Sequence, residues 1–428
     1  MKDFFAMPLG NDVEIKGTNI LFVGYGITEK GSDDGKSEAT KPYNDYNGVD
    51  VMGKVVLILS GEPLTKDSIS LITGTKKPSK WSSSSRKKIS LAKQNGAAAL
   101  IIISSGFEEN LPMMKKYLSS PSLDLIPDST QAVETEAEIA QIFISESIGS
   151  ALLSSQKKSI AKIKSKILRD GKSDAFELKS AFLFSVKNST EKIYSENVLG
   201  VVEGSEFKDE VIFVTAHYDH LGVRDGKVFN GADDDGSGTV GVMEIAEAFA
   251  QAKAAGLGPK RTIVFMTVTG EEKGLLGSSY YTDNPIFPIN KTVCDLNIDM
   301  IGRIDEDHKK DSAFVYIIGS DKISTELHAI NENANKTYTK LSLDYTYNAP
   351  DDPNRFYYRS DHYNFAEKGV PIIFYFNGVH EDYHKETDEI SKINFGLLAT
   401  RAQLVFYTAW EVANRAERIK TDVPQEEK

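Results

Sequence analysis

Four short runs in the second half of the chain are almost wholly apolar: "VIFVTA" (211–216), "TIVFMTV" (262–268), "LNIDMI" (296–301) and "VPIIFYF" (370–376). A half-exposed strand alternates polar and apolar residues, whereas a strand covered on both faces reads as these runs do. Helical patterns lie between them. "TVGVMEIAEAFAQAKAAG" has apolar residues at 240, 242, 243, 245, 246 and 249, with Gly256 as a stop. "NFGLLATRAQLVFYTAWEVANRA" predicts a long amphipathic helix close to the C-terminal end. Alternating strands and helices predict an α/β unit, a mainly parallel sheet with helices on both sides. Ligands of such sheets bind beyond the carboxyl ends of the strands.

The first part of the chain has a different texture. "TNILFVGYGI", "GKVVLILSG" and "AAALIIIS" predict strands, and "SSSSRKKISLAKQNG" a basic helix with a serine-rich start and a glycine stop. "SSQKKSIAKIKSKILRDGKSD" (154–174) predicts a second basic helix that ends at Gly171. The expected boundary falls there, giving domains 1–172 and 173–428. With 428 residues the chain is too long for one ordinary core, which agrees with two domains. The chain contains no internal repeat, and its tail "TDVPQEEK" is expected to be disordered.

Composition narrows the partners. At 40% hydrophobic and 26% charged, the chain is an ordinary globular protein. A net charge of −12 and a pI near 5.2 argue against nucleic acid and anionic membranes as partners. No apolar run reaches about 18 residues, so no membrane span is expected. The single cysteine, Cys294 in "TVCDLNIDM", excludes internal disulfides and a thiolate zinc site, and reads as a small core residue. The opening "MKDFFAMPLGNDVEIKG" lacks the apolar region and small-residue cleavage site of a signal peptide. A mature form or a trimmed chain is the expectation, and the oligomeric state is not legible.

Chemistry-bearing residues follow each apolar run. His217-Tyr-Asp219-His220 follows the first, Glu271-Glu272 the second, and His380-Glu-Asp-Tyr-His384 the fourth, while Asp299 sits inside the third. "NGADDDGSGTVG" (230–241), with Asp233, Asp234 and Asp235, opens the helix after the first strand. Four strand ends therefore deliver His, Asp and Glu to one sheet edge. Imidazole and carboxylate without thiolate suit zinc or another borderline divalent ion. The set is large enough for two metals sharing an Asp, the arrangement that clamps both oxygens of a hydrolytic reaction. A spare Glu beside a liganding Glu can take a proton from a water. The residues alone do not say which of Asp233, Asp234 and Asp235 is shared.

At these positions the chain resembles a known family. "HYDHLG", "NGADDDGSG", "TGEEKGLLGS", "NIDMIGR", "RSDHYNFAEKGVPIIF" and "EDYHKETD" are similar, in order across roughly 195–410, to the motifs of peptidase family 28, the dizinc aminopeptidases related to aminopeptidase Y and the transferrin-receptor ectodomain. "FVGYGI", "DYNGVDVMGKVVLIL" and "KISLAKQNGAAALIIIS" resemble the protease-associated domain that accompanies many of them. The resemblance implies a zinc-exopeptidase fold of the phosphorylase/hydrolase-like kind: a mainly parallel mixed sheet between helices, with a smaller, mostly β protease-associated domain that serves as a lid or substrate-positioning element. It implies two co-catalytic Zn2+ ions, one on His217 and Asp299, the other on Glu272 and His384, bridged by Asp234. Glu271 would be the general base acting on a metal-bridging water. The Asp219 carboxylate would hydrogen-bond the free nitrogen of His217 and fix its tautomer. The implied activity is removal of N-terminal residues from peptide substrates, with a carboxypeptidase, dipeptidase or other amidohydrolase on the same centre, or a non-catalytic receptor-like protein, as alternatives. The implied location is secreted, periplasmic or cell-surface, any signal having been removed.

Several residues carry competing readings. His380 to His384 spell H-E-x-x-H, the single-zinc peptidase motif, which needs both histidines on one helix face. The polar flanks after Asn377-Gly378 argue against a helix, and the family pattern keeps His384 alone, which leaves His380 as an outer-rim residue. Gly236, Gly238 and Gly241 spell the glycine pattern of a dinucleotide loop, but three aspartates before it would repel a pyrophosphate. His220 and His362 read as hydrogen-bonded structural or rim groups, and His308 and His328 as surface residues. Asp361 reads equally as an orienting group and a helix cap. Tyr375 and Tyr383 are candidate donors to an oxyanion or pocket residues, with plain packing as the alternative. Arg303 and Arg359 are structural ion-pair residues or anchors for a substrate carboxylate.

Overall fold

Alternate residues of the apolar runs enter different cores, which is why the runs have no polar face. The computed structural model describes residues 3–7, 12–32, 39–119, 123–126, 139–187, 189 and 191–424. Two compact units result, residues 1–122 with 127–192, and 193–428 with the short stretch 123–126.

The first unit contains strands β1 (Phe4–Ala6), β2 (Val13–Phe22), β3 (Thr28–Glu29), β4 (Tyr43–Asn44), β5 (Val55–Leu59), β6 (Ala99–Ser104), β7 (Ala140–Ser145) and β8 (Phe176–Val186). Its helices are α1 (Arg86–Gln94), α2 (Phe107–Ser119), α3 (Glu146–Ser154) and α4 (Ile160–Asp170). The main sheet has the order β1-β7-β6-β5-β2-β8. Among the described residues four helices lie in its connections, which makes it a sheet-and-helix unit rather than one of strands alone. Gly171 ends α4 in the left-handed region at φ 68°, as the glycine stop predicts. The expected boundary at 172/173 is too early. Strand β8 pairs antiparallel with β2, and its Phe182 and Phe184 pack on the first core, so the division comes after Lys192.

The second unit contains β9 (Val198–Val202), β10 (Phe207–His217), β11 (Gly222–Arg224), β12 (Lys227–Phe229), β13 (Arg261–Val268), β14 (Thr292–Ile298), β15 (Phe314–Ile318), β16 (Ser342–Asp344) and β17 (Ile372–Phe376). Its helices are α5 (Gly236–Ala254), α6 (Leu276–Asp283), α7 (Thr325–Ala334), α8 (His362–Glu367) and α9 (Phe395–Asn414). Seven strands run in the order β16-β15-β17-β14-β10-β13-β9. The pairs β17–β14, β14–β10, β10–β13 and β15–β16 are parallel, while β15–β17 and β13–β9 are antiparallel. The unit is therefore a mixed, mostly parallel sheet flanked by helices, as the strand–helix alternation predicts. Ile212, Val214 and Ala216 of β10 join the core formed with α5, α7 and α9. Val211 and Phe213 face the opposite core, with Phe365 of α8 and Tyr281 of α6. Cys294 is a fully buried member of the first of these cores. Asp422 accepts hydrogen bonds from the amide and hydroxyl of Thr325 at 2.9 and 2.6 Å, so the first half of the tail is ordered, and residues 425–428 lie outside the described ones. Among the described residues no helix is long and apolar enough to cross a membrane.

Helix α9 is fastened to the sheet by a buried cation. Arg401 Nε donates to the Phe314 carbonyl at 2.7 Å, and its Nη1 to the carbonyls of Ile301 and Arg303 at 2.8 and 2.7 Å. This fixes the loop that leaves β14 just beyond Asp299. Arg401→Leu leaves three buried carbonyls without a donor, each costing about 1–3 kcal/mol. Urea denaturation of the full chain is expected to show the second unit destabilised by about 3 kcal/mol or more. An unchanged midpoint would mean that water replaces the guanidinium.

Candidate metal centre

The carboxyl ends of β10, β13, β14 and β17 bring the candidate residues to one place. His217 is the last residue of β10, and Asp299 follows β14 directly. Their strands are neighbours, with Thr215 opposite Asn297. Glu271 and Glu272 open a 3-10 turn after β13, and His384 sits in a turn after β17 with φ 57°. Asp234 lies in the loop that opens α5.

His217 Nε2 lies 3.3 Å from Asp234 Oδ1, 3.6 Å from Asp299 Oδ1 and 3.9 Å from Glu271 Oε2. The other Asp234 oxygen lies 3.0 Å from His384 Nε2, which is 3.4 Å from Glu272 Oε2. One carboxylate thus touches both halves of the cluster. His220 joins the second half, its Nδ1 2.8 Å from Glu272 Oε1, so it is neither remote nor at the rim. His217 Nε2, both nitrogens of His220, Asp234 Oδ2 and Glu272 Oε1 are buried without a hydrogen-bond partner. They lie close together but off-line for hydrogen bonds. Buried polar atoms orphaned in one spot, all of them possible metal donors, fit a cation between them. Imidazole with carboxylate suits zinc or another borderline divalent ion.

The three aspartates before α5 have separate tasks. Asp235 caps the helix, accepting from the amide of Gly238 at 3.0 Å, and also from those of Met300 at 2.9 Å and His217 at 3.2 Å. Asp233 accepts from Gly302 N at 2.7 Å, Ser237 Oγ at 2.8 Å and His380 Nε2 at 3.1 Å. Only Asp234 is left facing the cluster. His217, Asp235 and Asp299 also place one ligand atom each within 4.8 Å of one another. Three amides already occupy the Asp235 oxygens, so Asp234 is the better donor. The glycines serve this packing: a Cβ at Gly238 would sit 2.4 Å from Asp235 Oδ1, and one at Gly231, with φ +64°, 2.4 Å from the Asp234 carbonyl.

Charge follows from burial. Burial pulls the His217 imidazole down, but Asp299 and Asp234 overturn that effect and raise it well above its ordinary value. Burial pushes Glu271 well up, helped by Asp299, Asp361 and Glu272. Burial likewise lifts Asp361 to about 7.

The structural readings of His362 and Arg303 hold, while several other expectations need correction. His217 Nδ1 meets the Asp219 backbone carbonyl at 2.9 Å, whereas the carboxylate is 3.8 Å away. That carboxylate instead accepts from the amides of Glu271 and Glu272 at 3.1 and 3.4 Å. His380 is buried rather than at the rim, and residues 381–384 form a turn, so the H-E-x-x-H letters never share a helix face. Asp361 makes no cap; its carboxylate accepts from Ser278 Oγ. Tyr375 donates to Asn331 in the core and Tyr383 stacks on His384, which leaves Tyr383 beside the cluster. His362 stacks on Phe374 and meets the Tyr357 carbonyl. His308 stacks on Phe314 and His328 meets Ser320 Oγ. Arg303 is engaged by Asp382 at 2.8 Å. Asp388, unremarked within "EDYHKETD", accepts from the amides of Asp233 and Asp234 at 3.0 and 3.2 Å. Its signal was position, four residues past His384 in a stretch already rich in site residues.

Fold and site together define a mixed α/β domain with a candidate metal centre of imidazoles and carboxylates at the carboxyl edge of its sheet. Residues 197–409 belong to peptidase family M28, and residues 23–152 form a PA domain. A "Probable zinc metalloprotease" of Pyrenophora teres f. teres (strain 0-1) is 29% identical over 255 residues, covering 51% of this chain and 51% of its own length. "Aminopeptidase YwaD" of Bacillus subtilis (strain 168) is 26% identical over 235 residues, covering 53% of this chain and 47% of its own. The chain thus spans about half the length of the curated relatives it matches. The solved structure titled "Aminopeptidase from Aneurinibacillus sp. strain AM-1" is 20% identical, with TM-score 0.48, over 100% of this chain and 82% of that one.

If Asp235 is the fastener of three amides, Asp235→Ala should destabilise the second unit by about 2–4 kcal/mol, since buried donors lose their acceptor. Urea denaturation of the metal-free protein measures this. A loss below about 0.5 kcal/mol would show that the amides do not depend on it.

Proposed function

We propose that the chain is a zinc-dependent exopeptidase that removes N-terminal residues from peptides. The observation that carries this reading is the convergence of His217, Asp234, Glu272, Asp299 and His384 on one spot, with the Glu271 carboxylate 3.9 Å from His217 Nε2. Membership of family M28 and relatives named aminopeptidase and zinc metalloprotease support it. His217 and Asp299 would hold one zinc, Glu272 and His384 a second, and Asp234 both, because its two oxygens face the two halves. Zinc supplies Lewis acidity toward the scissile carbonyl and toward an attacking water.

The rest is the work of side chains. Glu271 accepts the proton of the attacking water and returns it to the leaving amine. Burial holds this carboxyl well above the ordinary carboxylate range. Asp219 positions Glu271 and Glu272 together through their amides. Burial and nearby carboxylates hold the Tyr383 phenol protonated, so it can donate to the oxygen on which charge develops. The surrounding carboxylates favour a cationic peptide N-terminus.

A carboxypeptidase on the same centre is the second reading, favoured by Arg359. Its guanidinium rests on the Phe356 ring, with no ion pair among the described residues, and Phe356 belongs to the cluster on which Tyr383 packs. A substrate carboxylate would find a free cation there.

Glu271→Gln is expected to lower kcat on aminoacyl-nitroanilides by about 10²–10⁴-fold, with zinc content by elemental analysis unchanged. Retained turnover would remove Glu271 from the mechanism. Cleavage of N-blocked dipeptides in preference to aminoacyl-nitroanilides would favour the second reading.

A further inference from the structure

Three imidazoles, not two, reach the cluster, and the third has no role in the proposed function. His220 Nδ1 lies 2.8 Å from Glu272 Oε1 and 3.8 Å from Asp234 Oδ2. These are the two carboxylates that His384 also faces, from 3.4 and 3.0 Å. The side chain of His220 is only 8% exposed, and neither ring nitrogen has a hydrogen-bond partner. Had His220 merely braced Glu272, an N–H aligned on the carboxylate would be expected at 2.8 Å, and the contact lacks that alignment. Burying an unsatisfied imidazole is unfavourable unless another partner meets it. The ligand atoms of His220, Asp234 and Glu272 all lie within 4.8 Å of one another. Donors that share an ion at about 2 Å lie about 3–4 Å apart, so a small closing movement suffices.

We infer that His220 is a direct metal ligand, through Nδ1, in the half of the centre formed by Asp234, Glu272 and His384. The inference rests on the metal-site reading above and adds a residue to it. The two halves then differ in kind. One offers a single imidazole, His217, with Asp299 and Asp234. The other offers two imidazoles with Glu272 and Asp234. Imidazole-rich sets favour zinc, copper and nickel over magnesium and manganese. The half with His220 and His384 therefore takes zinc first and holds it more tightly.

The test is X-ray absorption on the metal-free full chain loaded with one equivalent of Zn2+. Two imidazoles per ion are expected in the wild type, falling to one in His220→Ala. Zinc affinity, measured by competition with a chromophoric chelator, is expected to fall more than about a hundredfold in His220→Ala. Loss of an outer hydrogen-bonding partner costs only about 10–100-fold. One imidazole per ion in the wild type overturns the assignment of His220 and leaves the metal centre standing. Failure of the wild type to bind zinc stoichiometrically overturns the metal-site reading itself. Should His220→Ala fail to fold, the wild-type count decides alone.

Discussion

Asp233, Asp234, Asp235, Asp299, Glu271 and Glu272 bring their carboxylates into one largely buried region, where like charges repel and little water is present to screen them. Leaving such charges unmatched would cost several kcal/mol for each. The second unit meets two of them with backbone amides and nearby side-chain donors. Asp235 takes three and adds the N-terminal end of α5 to the balance. Asp233 takes the Gly302 amide, the Ser237 hydroxyl and an imidazole. Asp234, Asp299, Glu271 and Glu272 remain, and the groups facing them are three imidazoles that cannot all line up for hydrogen bonds. The unmatched negative charge is what makes a cation the natural occupant.

The two halves of the cluster are held differently. His217 and Asp299 stand at the ends of adjacent parallel strands in the centre of the sheet, where backbone pairing and two hydrophobic cores fix them. Glu272 and His384 lie on turns, and His220 in the irregular stretch between β10 and β11. The turn carrying Glu272 is fastened through its amides by Asp219, and that carrying His384 lies between Asp382, held by Arg303, and Asp388, held by the acidic loop. One half is thus built into the scaffold. The other depends on side chains that grip main-chain amides, so its geometry has more room to adjust.

The sheet and the convergence of residues were legible because both follow from local rules. Apolar runs without a polar face imply two-sided burial, and the residues after them must then share an edge. The division of labour within "ADDDG" was not legible, since three adjacent identical side chains differ only in where the backbone turns each one. The same limit explains Asp219. Two residues from His217, its carboxylate is near enough to serve the imidazole, but the chain's own carbonyl reaches Nδ1 first and frees the carboxylate for Glu271 and Glu272. The boundary near 172 failed for another reason. A helix stop marks the end of a helix, and β8 beyond it pairs with β2 from near the start of the chain, a pairing that no local pattern announces.

His380 shows why motif letters need a backbone. H-E-x-x-H places both histidines on one face only where the segment turns 100° per residue. After β17 the chain instead makes a turn, and the two imidazoles part: His384 goes to Asp234 and Glu272, His380 to Asp233. Neither direction is accidental to the charge problem. Asp233 needs a donor because Asp388 and Asp235 crowd the same loop with further negative charge, and His380 supplies one from the opposite side. A histidine that reads as a ligand by spacing is thus an outer support by geometry, while His220, which reads as a support, stands among the ligand atoms. What separates them is whether a protein donor or acceptor already satisfies the ring, a property of the folded chain that spacing along it does not encode.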